Sequence, residues 1–365
     1  MKPTFKNIHL RFRWNGYYFD RDGLKEVAYS LVKEGAPYEQ SIGDFMMDWL
    51  DNKEYLDVKT SGSTGIPKTV RIWKQHMVHS ALATGDFFDI SVGDSALHCL
   101  PAEFIAGKMM LVRALILGLE IDLIPPSASP LSEIIKEYDF SAMIPLQVEN
   151  SLDKLEQIKT LIVGGAPVGH ELKTELNTKT TKIFETYGMT ETVTHIAARP
   201  LNEAALKTKG KAKGFVTMPH VQISTDEREC LVVDAPDISE NTVVTNDIVK
   251  ILSENEFEWL GRYDYIINSG GIKLIPEQIE SKLDPFIESR FFVTGIPDTA
   301  LGSKMIMIVE GTTKNETELL EVIKESNVLS KYEVPKEIHF IPHFTETENG
   351  KVVRTATLDK IKTKH

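Results

Sequence analysis

The chain has 365 residues, 42% of them hydrophobic, and a formal net charge of −12 at pH 7. That is enough apolar material for two or three packed domains, and the negative charge argues against nucleic acid or an anionic membrane surface as the main partner, since either would repel it. Cys99 and Cys230 lie far apart in apolar runs and support neither a disulfide framework nor a thiolate metal site. With no apolar signal core and no run near the ~20 residues of a membrane span, the sequence reads as a soluble, cytoplasmic protein; its oligomeric state stays open, a homo-oligomer included.

Taken in order, Leu24, Val27, Ala28, Leu31 and Val32 fall at helical spacing and stop at Gly35. Ile42, Phe45, Met46, Trp49 and Leu50 do so again after Ser41-x-x-Asp44, which has the form of a capping box. Two strand-like runs, Tyr55 to Val58 and Val70 to Trp73, then flank the loop Thr60-Ser61-Gly62-Ser63-Thr64-Gly65-Ile66-Pro67-Lys68-Thr69. Glycines that permit positive φ, a row of hydroxyls and one mobile ammonium can wrap a polyphosphate. Pro67 stands where the helix-capping P-loop of the NTPases requires glycine.

From residue 55 to about 190, short apolar runs alternate with helical patterns: Ala96 to Leu100 then Phe104 to Leu117, Ile121 to Ile124 then Leu131 to Tyr138, Ala142 to Pro145 then Val148 to Leu155, Leu161 to Val163 then Val168 to Leu176, and finally Lys182 to Phe184. Such alternation predicts an α/β domain with a mostly parallel sheet, whose ligand sits at the carboxyl ends of the strands. The loops there are Gly164-Gly165-Ala166-Pro167 and Glu185 to Thr192. Beyond Arg199 the runs become β-rich and predict a small antiparallel subdomain, with the basic stretch Lys207 to Gly214 as a solvated loop. After Gly261-Arg262 the pattern changes to an α+β unit of roughly a hundred residues. The expected organisation is a large N-terminal domain, 1–261, and a small mobile C-terminal domain, 262–365.

Six motifs occur in order: the Gly/Ser/Thr loop, Gly164 to Pro167, Tyr187-Gly188-Met189-Thr190-Glu191-Thr192, Thr245-Asn246-Asp247, Gly261-Arg262-Tyr263-Asp264 and Asn349-Gly350-Lys351. Together they resemble the acyl-adenylate-forming superfamily of acyl-CoA ligases, adenylation domains and luciferases, from about residue 55 to the end. Within it, the runs LPAEFIAGKMMLVRALILG and YGMTETVTHIA are similar to those of the 2-succinylbenzoate-CoA ligases of menaquinone biosynthesis, in compact form. The resemblance implies an enzyme that joins a carboxylic acid to the α-phosphate of ATP with Mg²⁺, then passes the acyl group to CoA; a ligase for another aryl or acyl acid, a carrier-loading enzyme and a non-catalytic acyl-adenylate binder are the alternatives.

Carried over position by position, the resemblance implies that Thr60, Ser61, Gly62, Ser63, Thr64, Gly65 and Lys68 hold the β- and γ-phosphates. Gly164, Gly165, Ala166, Tyr187 and Gly188 would enclose the adenine, Thr190 would meet the α-phosphate and Glu191 would ligate Mg²⁺. Asp247 would accept the ribose hydroxyls with Arg262 beside it, Asp264 would be the hinge, Gly270 and Gly271 would lie on the CoA path, and Lys351 would be the catalytic ammonium. Thr69, Asn246, Phe104 and Thr345 depart from the family's usual residues, and the segment before the phosphate loop is short. For the acyl pocket the residues themselves suggest Phe104 as an aromatic wall and Lys108 or His195 as donor to a second carboxylate, which a mostly apolar pocket needs. Arg113, five residues beyond Lys108, points roughly 140° away on the same helix.

Overall fold

The computed structural model describes residues 3–59, 69–209, 212–312, 315–347 and 352–362. Its strands are β1 Arg13–Trp14, β2 Tyr55–Lys59, β3 Thr69–Trp73, β4 Ser95–His98, β5 Glu120–Leu123, β6 Tyr138–Met143, β7 Ile158–Val163, β8 Lys182–Gly188, β9 His195–Pro200, β10 Phe215–Thr217, β11 Gln222–Thr225, β12 Cys230–Asp234, β13 Val243–Ser253, β14 Glu256–Arg262, β15 Ile267–Ser269, β16 Ile272–Leu274, β17 Phe291–Asp298, β18 Gly302–Glu310 and β19 Glu337–Ile341. Its helices are α1 Arg21–Glu34, α2 Pro37–Leu50, α3 Lys74–Phe88, α4 Ile105–Leu117, α5 Pro145–Glu149, α6 His170–Leu176, α7 Glu203–Lys209, α8 Pro276–Leu283, α9 Glu316–Glu325 and α10 Arg354–Lys362.

A 12-stranded sheet runs β1-β5-β4-β6-β7-β8-β9-β10-β14-β13-β12-β11. It is parallel as far as β8 and antiparallel from the β8–β9 pair onward. The β-rich segment is therefore hydrogen-bonded into the α/β sheet rather than folded as a separate layer. Alternation along the parallel strands divides the core. Phe140, Ala142, Ile162 and Phe184 join the cluster that α1 to α4 cover, while Leu161, Val163 and Ile183 face Val148, Val168, Leu172 and Leu176 on the other side. A second sheet, β16-β15-β18-β17 with β19 against β18, begins after β14 ends at Arg262. Among the described residues no helix is long and apolar enough to cross a membrane.

Several local expectations change. The second helix starts at Pro37, not after Ser41: the Glu39 carboxylate accepts the Ala36 N–H and the Ser41 hydroxyl turns back to the Tyr38 carbonyl. Proline at the first helical position and a carboxylate two residues on supply the start that the apolar spacing alone did not locate. Residues 131–137 form turns instead of a helix, and 148–155 contains only the end of the short α5. Helix α3 has no counterpart among the expected elements. Polar residues, Lys74, Ser80 and Thr84 among them, fall on its buried side, so it lacks the clean stripe that marks an amphipathic helix, and it is buried at Met77, Val78, Ala81 and Thr84. Its first residue, Lys74, is fully buried with its ammonium 2.7 Å from Asp51 after α2, which fixes the β2–β3 hairpin to the N-terminal helices.

Candidate active site

Thr60 to Lys68 lie outside the described residues, but the frame that carries them is clear: β2 and β3 pair antiparallel from Lys59↔Thr69 inward, and β3 packs against the 3-10 turn Thr190–Thr192. The phosphate-type loop thus springs from beside Thr190 and Glu191. That turn is held by the buried Thr192 hydroxyl, which donates toward the Met189 and Thr194 carbonyls at 3.0 and 2.9 Å. Val193 sits at φ +66, ψ −59, a conformation a β-branched residue adopts only under constraint and one that concentrates at functional sites. Glu191 is exposed at the tip. Among the described residues no group of three side chains could hold a metal. A lone carboxylate beside a polyphosphate loop nevertheless suits Mg²⁺, which keeps water and takes phosphate oxygens as its remaining ligands.

On the adjoining strand end, Gly165 adopts φ +91, and the Thr186 hydroxyl closes on the Val163 carbonyl at 3.2 Å, directly below Gly164. Gly188 has no space for a side chain, because a Cβ there would stand 2.3 Å from the Thr194 carbonyl. Gly164, Gly165, Ala166 and Gly188 consequently form a backbone-lined rim at the carboxyl ends of β7 and β8, where a flat heterocycle can approach main-chain groups.

Asp247 is the best-connected member of the set. It is buried on β13 and receives the Tyr187 hydroxyl at 2.7 Å, the Trp259 indole N–H at 3.0 Å and the Arg262 guanidinium at 3.6 Å. The register shift between Ile248 and Val249 in the β13–β14 ladder lets Trp259 and Arg262 converge on one carboxylate. Burial and the Asp247 charge push the Tyr187 phenol well above its usual range, so it is a fixed donor. Its ring packs against Phe215 and Phe257. Arg262 also bonds Asp264 at 3.0 Å, and Asp264 accepts the Asn246 amide at 3.2 Å. Asn246 in turn is held by Arg228 at 2.9 Å. Asn246 therefore ties the strand that carries Asp247 to Asp264. Trp259 and Arg228 escaped the sequence reading because their partners come from register, which no local spacing displays.

The three acyl-pocket candidates separate. Phe104 is the N-cap of α4, and Gly107 lets that helix pack against the Pro101 carbonyl, 2.2 Å from where a Cβ would stand. Lys108 folds back: its ammonium donates to the Ala102 and Glu103 carbonyls, the latter at 2.9 Å, and lies over the Phe45 ring. His195 lies instead with Arg113. The imidazole Nε2 is 3.1 Å from the Thr84 hydroxyl and Nδ1 is 3.4 Å from the Arg113 guanidinium, whose Nε reaches the same hydroxyl at 3.3 Å. Arg113 is 1% exposed, and among the described residues no carboxylate pairs with it. Desolvation pulls it down to about 9, and burial with the neighbouring cation holds His195 neutral. His195 also lines a cavity of about 170 Å³ whose walls are mostly apolar, with Asp86 and Asp237 also lining it. An arginine in the middle of the apolar, buried stretch 109–116 of α4 was the available signal for this cluster.

Gly270 and Gly271 form the two-residue turn of the β15–β16 hairpin with φ +58 and +82, exposed on the C-terminal unit. Lys351 lies outside the described residues; the antiparallel bridge Glu346↔Val352 closes the loop that carries it.

The family model for AMP-binding enzymes matches residues 59–235. The 2-succinylbenzoate-CoA ligase of Listeria monocytogenes is 24% identical, covering 93% of this chain and 75% of that protein, and the one from Bacillus cereus is 25% identical over 92% and 75%. Among solved structures, an acyl-CoA synthetase (AMP-forming)/AMP-acid ligase II-like protein from Dyadobacter fermentans is 34% identical with a TM-score of 0.60, covering 92% of this chain and 98% of that one. The O-succinylbenzoate-CoA synthetase of Bacillus subtilis, bound to ATP and magnesium, shares the fold at TM-score 0.73 and 19% identity, covering 92% of this chain and 82% of that one. By the 34% identity to the AMP-forming synthetase-like protein of Dyadobacter fermentans over nearly the whole of both chains, and by the match to the family model, the chain belongs to the AMP-binding, acyl-adenylate-forming enzymes.

Proposed function

We propose that the chain is an AMP-forming acid–CoA ligase whose acid is 2-succinylbenzoate, an aromatic dicarboxylate. In the first half-reaction a carboxylate oxygen of the acid attacks the α-phosphorus of ATP and pyrophosphate leaves. In the second, the CoA thiolate attacks the acyl carbon and AMP leaves. Both partners of the first step are anions, so catalysis comes from positioning and cationic stabilisation. Lys68 and the hydroxyls of its loop grip the leaving pyrophosphate, Thr190 meets the α-phosphate, Asp247 and Arg262 hold the ribose, and Lys351 brings its ammonium to the converging oxygens. Mg²⁺ at Glu191 neutralises phosphate charge when bound.

The observation that carries the choice of acid is Arg113. A fully buried guanidinium without a carboxylate is a costly group in the ligand-free protein, and it becomes favourable when an anion fills the place beside it. Arg113 and His195 offer donors to the carboxylate that is not activated, the Thr84 hydroxyl being already donated to the Ser80 carbonyl at 2.8 Å, and the mostly apolar cavity next to His195 is about the size that takes a benzene ring. The names of the relatives support the same acid.

The experiment is a pyrophosphate-exchange and thioester assay over a panel of acids, run with CoA and with a carrier-bound thiol. Arg113→Met should raise KM for 2-succinylbenzoate by about 10- to 100-fold, the size of one lost charged hydrogen bond, with KM for ATP nearly unchanged. Benzoates lacking the second carboxylate should lose nothing. Equal losses on mono- and dicarboxylates refute the assignment.

A further inference from the structure

The junction between β14 and α8 contains a carboxylate that the reaction does not use. Glu277, in the first turn of α8, is 8% exposed, and its Oε2 is buried with no hydrogen-bond partner. It is driven against the backbone of Gly261, where a Cβ would stand 2.5 Å from that oxygen. Gly261 itself takes φ +153, a conformation that L side chains rarely adopt. Sequence and geometry therefore agree: the chain leaves a niche at the last residues of the large sheet, and a side chain of the C-terminal unit fills it.

The charges around this niche do not balance. From α10, Arg354 is 2.7 Å from Glu280 and 3.9 Å from Glu277, while its other amino group is committed to the Val293 carbonyl at 3.2 Å. From α8, Glu280 already accepts the Val293 N–H at 2.7 Å. From β14, Arg262 directs its guanidinium away, to Asp247 and Asp264. Below it, Tyr265 lies under the Arg354 guanidinium. Two largely covered glutamates thus share one arginine, and the nearer takes it. Desolvation, opposed in part by Arg354 and reinforced by Glu280, raises Glu277 to about 7.

We propose that Glu277 is a proton-linked positioning residue: neutral, it holds the C-terminal unit docked on Gly261; ionised, it leaves the niche and frees that unit to swing about the Arg262–Asp264 segment. The direction follows from linkage. The docked arrangement binds this proton more tightly than an arrangement in which Glu277 meets water at an ordinary carboxylate value of about 4.3. Docking is therefore favoured at low pH: its equilibrium falls about tenfold per pH unit between about 4.3 and about 7 and levels off above that, where neither arrangement holds the proton. Arg354 begins the helix that follows the Lys351 loop, so the same undocking carries that loop with it.

The test uses the full chain without acid or nucleotide, so that failure of the substrate assignment leaves it intact. Spin labels are placed at Lys159→Cys in the large sheet and Glu325→Cys on α9, both exposed positions, with Cys99 and Cys230 buried and out of reach. Distance distributions are recorded between pH 6 and 8.5. The expected result is a shift from one population toward a second that grows as pH rises to about 7 and levels off above it, and its absence in Glu277→Gln, which keeps the side chain's shape and stays at the low-pH distribution throughout. Gly261→Ala, which denies the niche, should show the high-pH distribution already at pH 6. A native chain with no shift across this range, or a Glu277→Gln chain that shifts as the native one does, overturns the proposal.

Discussion

Replacing Arg113 by methionine should make the ligand-free protein more stable, because the arginine is held for binding rather than for folding. The side chain is 1% exposed, with two long hydrogen bonds, 3.3 Å to Thr84 and 3.4 Å to His195, and no carboxylate beside it among the described residues. Its folded-state value falls from 12.5 to about 9 through desolvation alone. At about 1.4 kcal/mol per pH unit, that displacement weighs against folding by on the order of 5 kcal/mol. Methionine fills similar volume without charge, and the loss of the two hydrogen bonds costs about 1 kcal/mol each. The net expectation is a gain of roughly 3 kcal/mol at pH 7, measured by urea unfolding of native and Arg113→Met chains. The sign of the pH dependence is fixed as well. The folded value lies below the unfolded one, so the charge burdens the fold at every pH below about 9, and the burden lifts as pH climbs beyond it. The stability gap between the two chains should therefore narrow at pH 10. A methionine variant that is less stable at pH 7, with a gap constant in pH, would show the guanidinium to be compensated in the free protein and would remove the reason for placing a substrate anion there.

Three further outcomes follow from the site. Lys108→Met should lower stability by about 1–2 kcal/mol, because the Ala102 and Glu103 carbonyls lose their donor; KM ratios between mono- and dicarboxylic acids should not move, and a changed ratio would return Lys108 to the pocket. Asp247→Asn should weaken ATP by about 10- to 100-fold in a titration of binding heat, since the charged acceptor shared by Tyr187, Trp259 and Arg262 is lost, whereas an unchanged affinity would mean the ribose lies elsewhere. Lys351→Ala should reduce adenylation by at least ~100-fold, the scale of one electrostatic donor, while thioester formation from supplied acyl-adenylate survives; equal falls in both half-reactions would contradict the role given to that ammonium.

What the sequence alone determined was whatever is written in short-range chemistry. The alternation of apolar runs placed the parallel strands β4, β5, β7 and β8 and caught only the last residues of β6, whose first residue, Tyr138, falls at the end of a helical pattern; a residue's face in a strand follows from its parity. The glycines of the 164–165 and 188 rims were legible because a turn with positive φ or a strand closer than a Cβ admits nothing else. The motif order identified the family because each motif is a loop whose composition matches its ligand chemistry. Tertiary structure decided where side chains meet. Helix α3 was invisible because polar residues such as Ser80 and Thr84 lie on its buried face and blur the apolar stripe. Lys108 folds onto two carbonyls of the turn at 101–104, whereas Thr84 and His195, 29 and 82 residues away, close on Arg113. Pairing over such separations depends on strand register and helix packing, both set by the whole core, so no window of the sequence contains it.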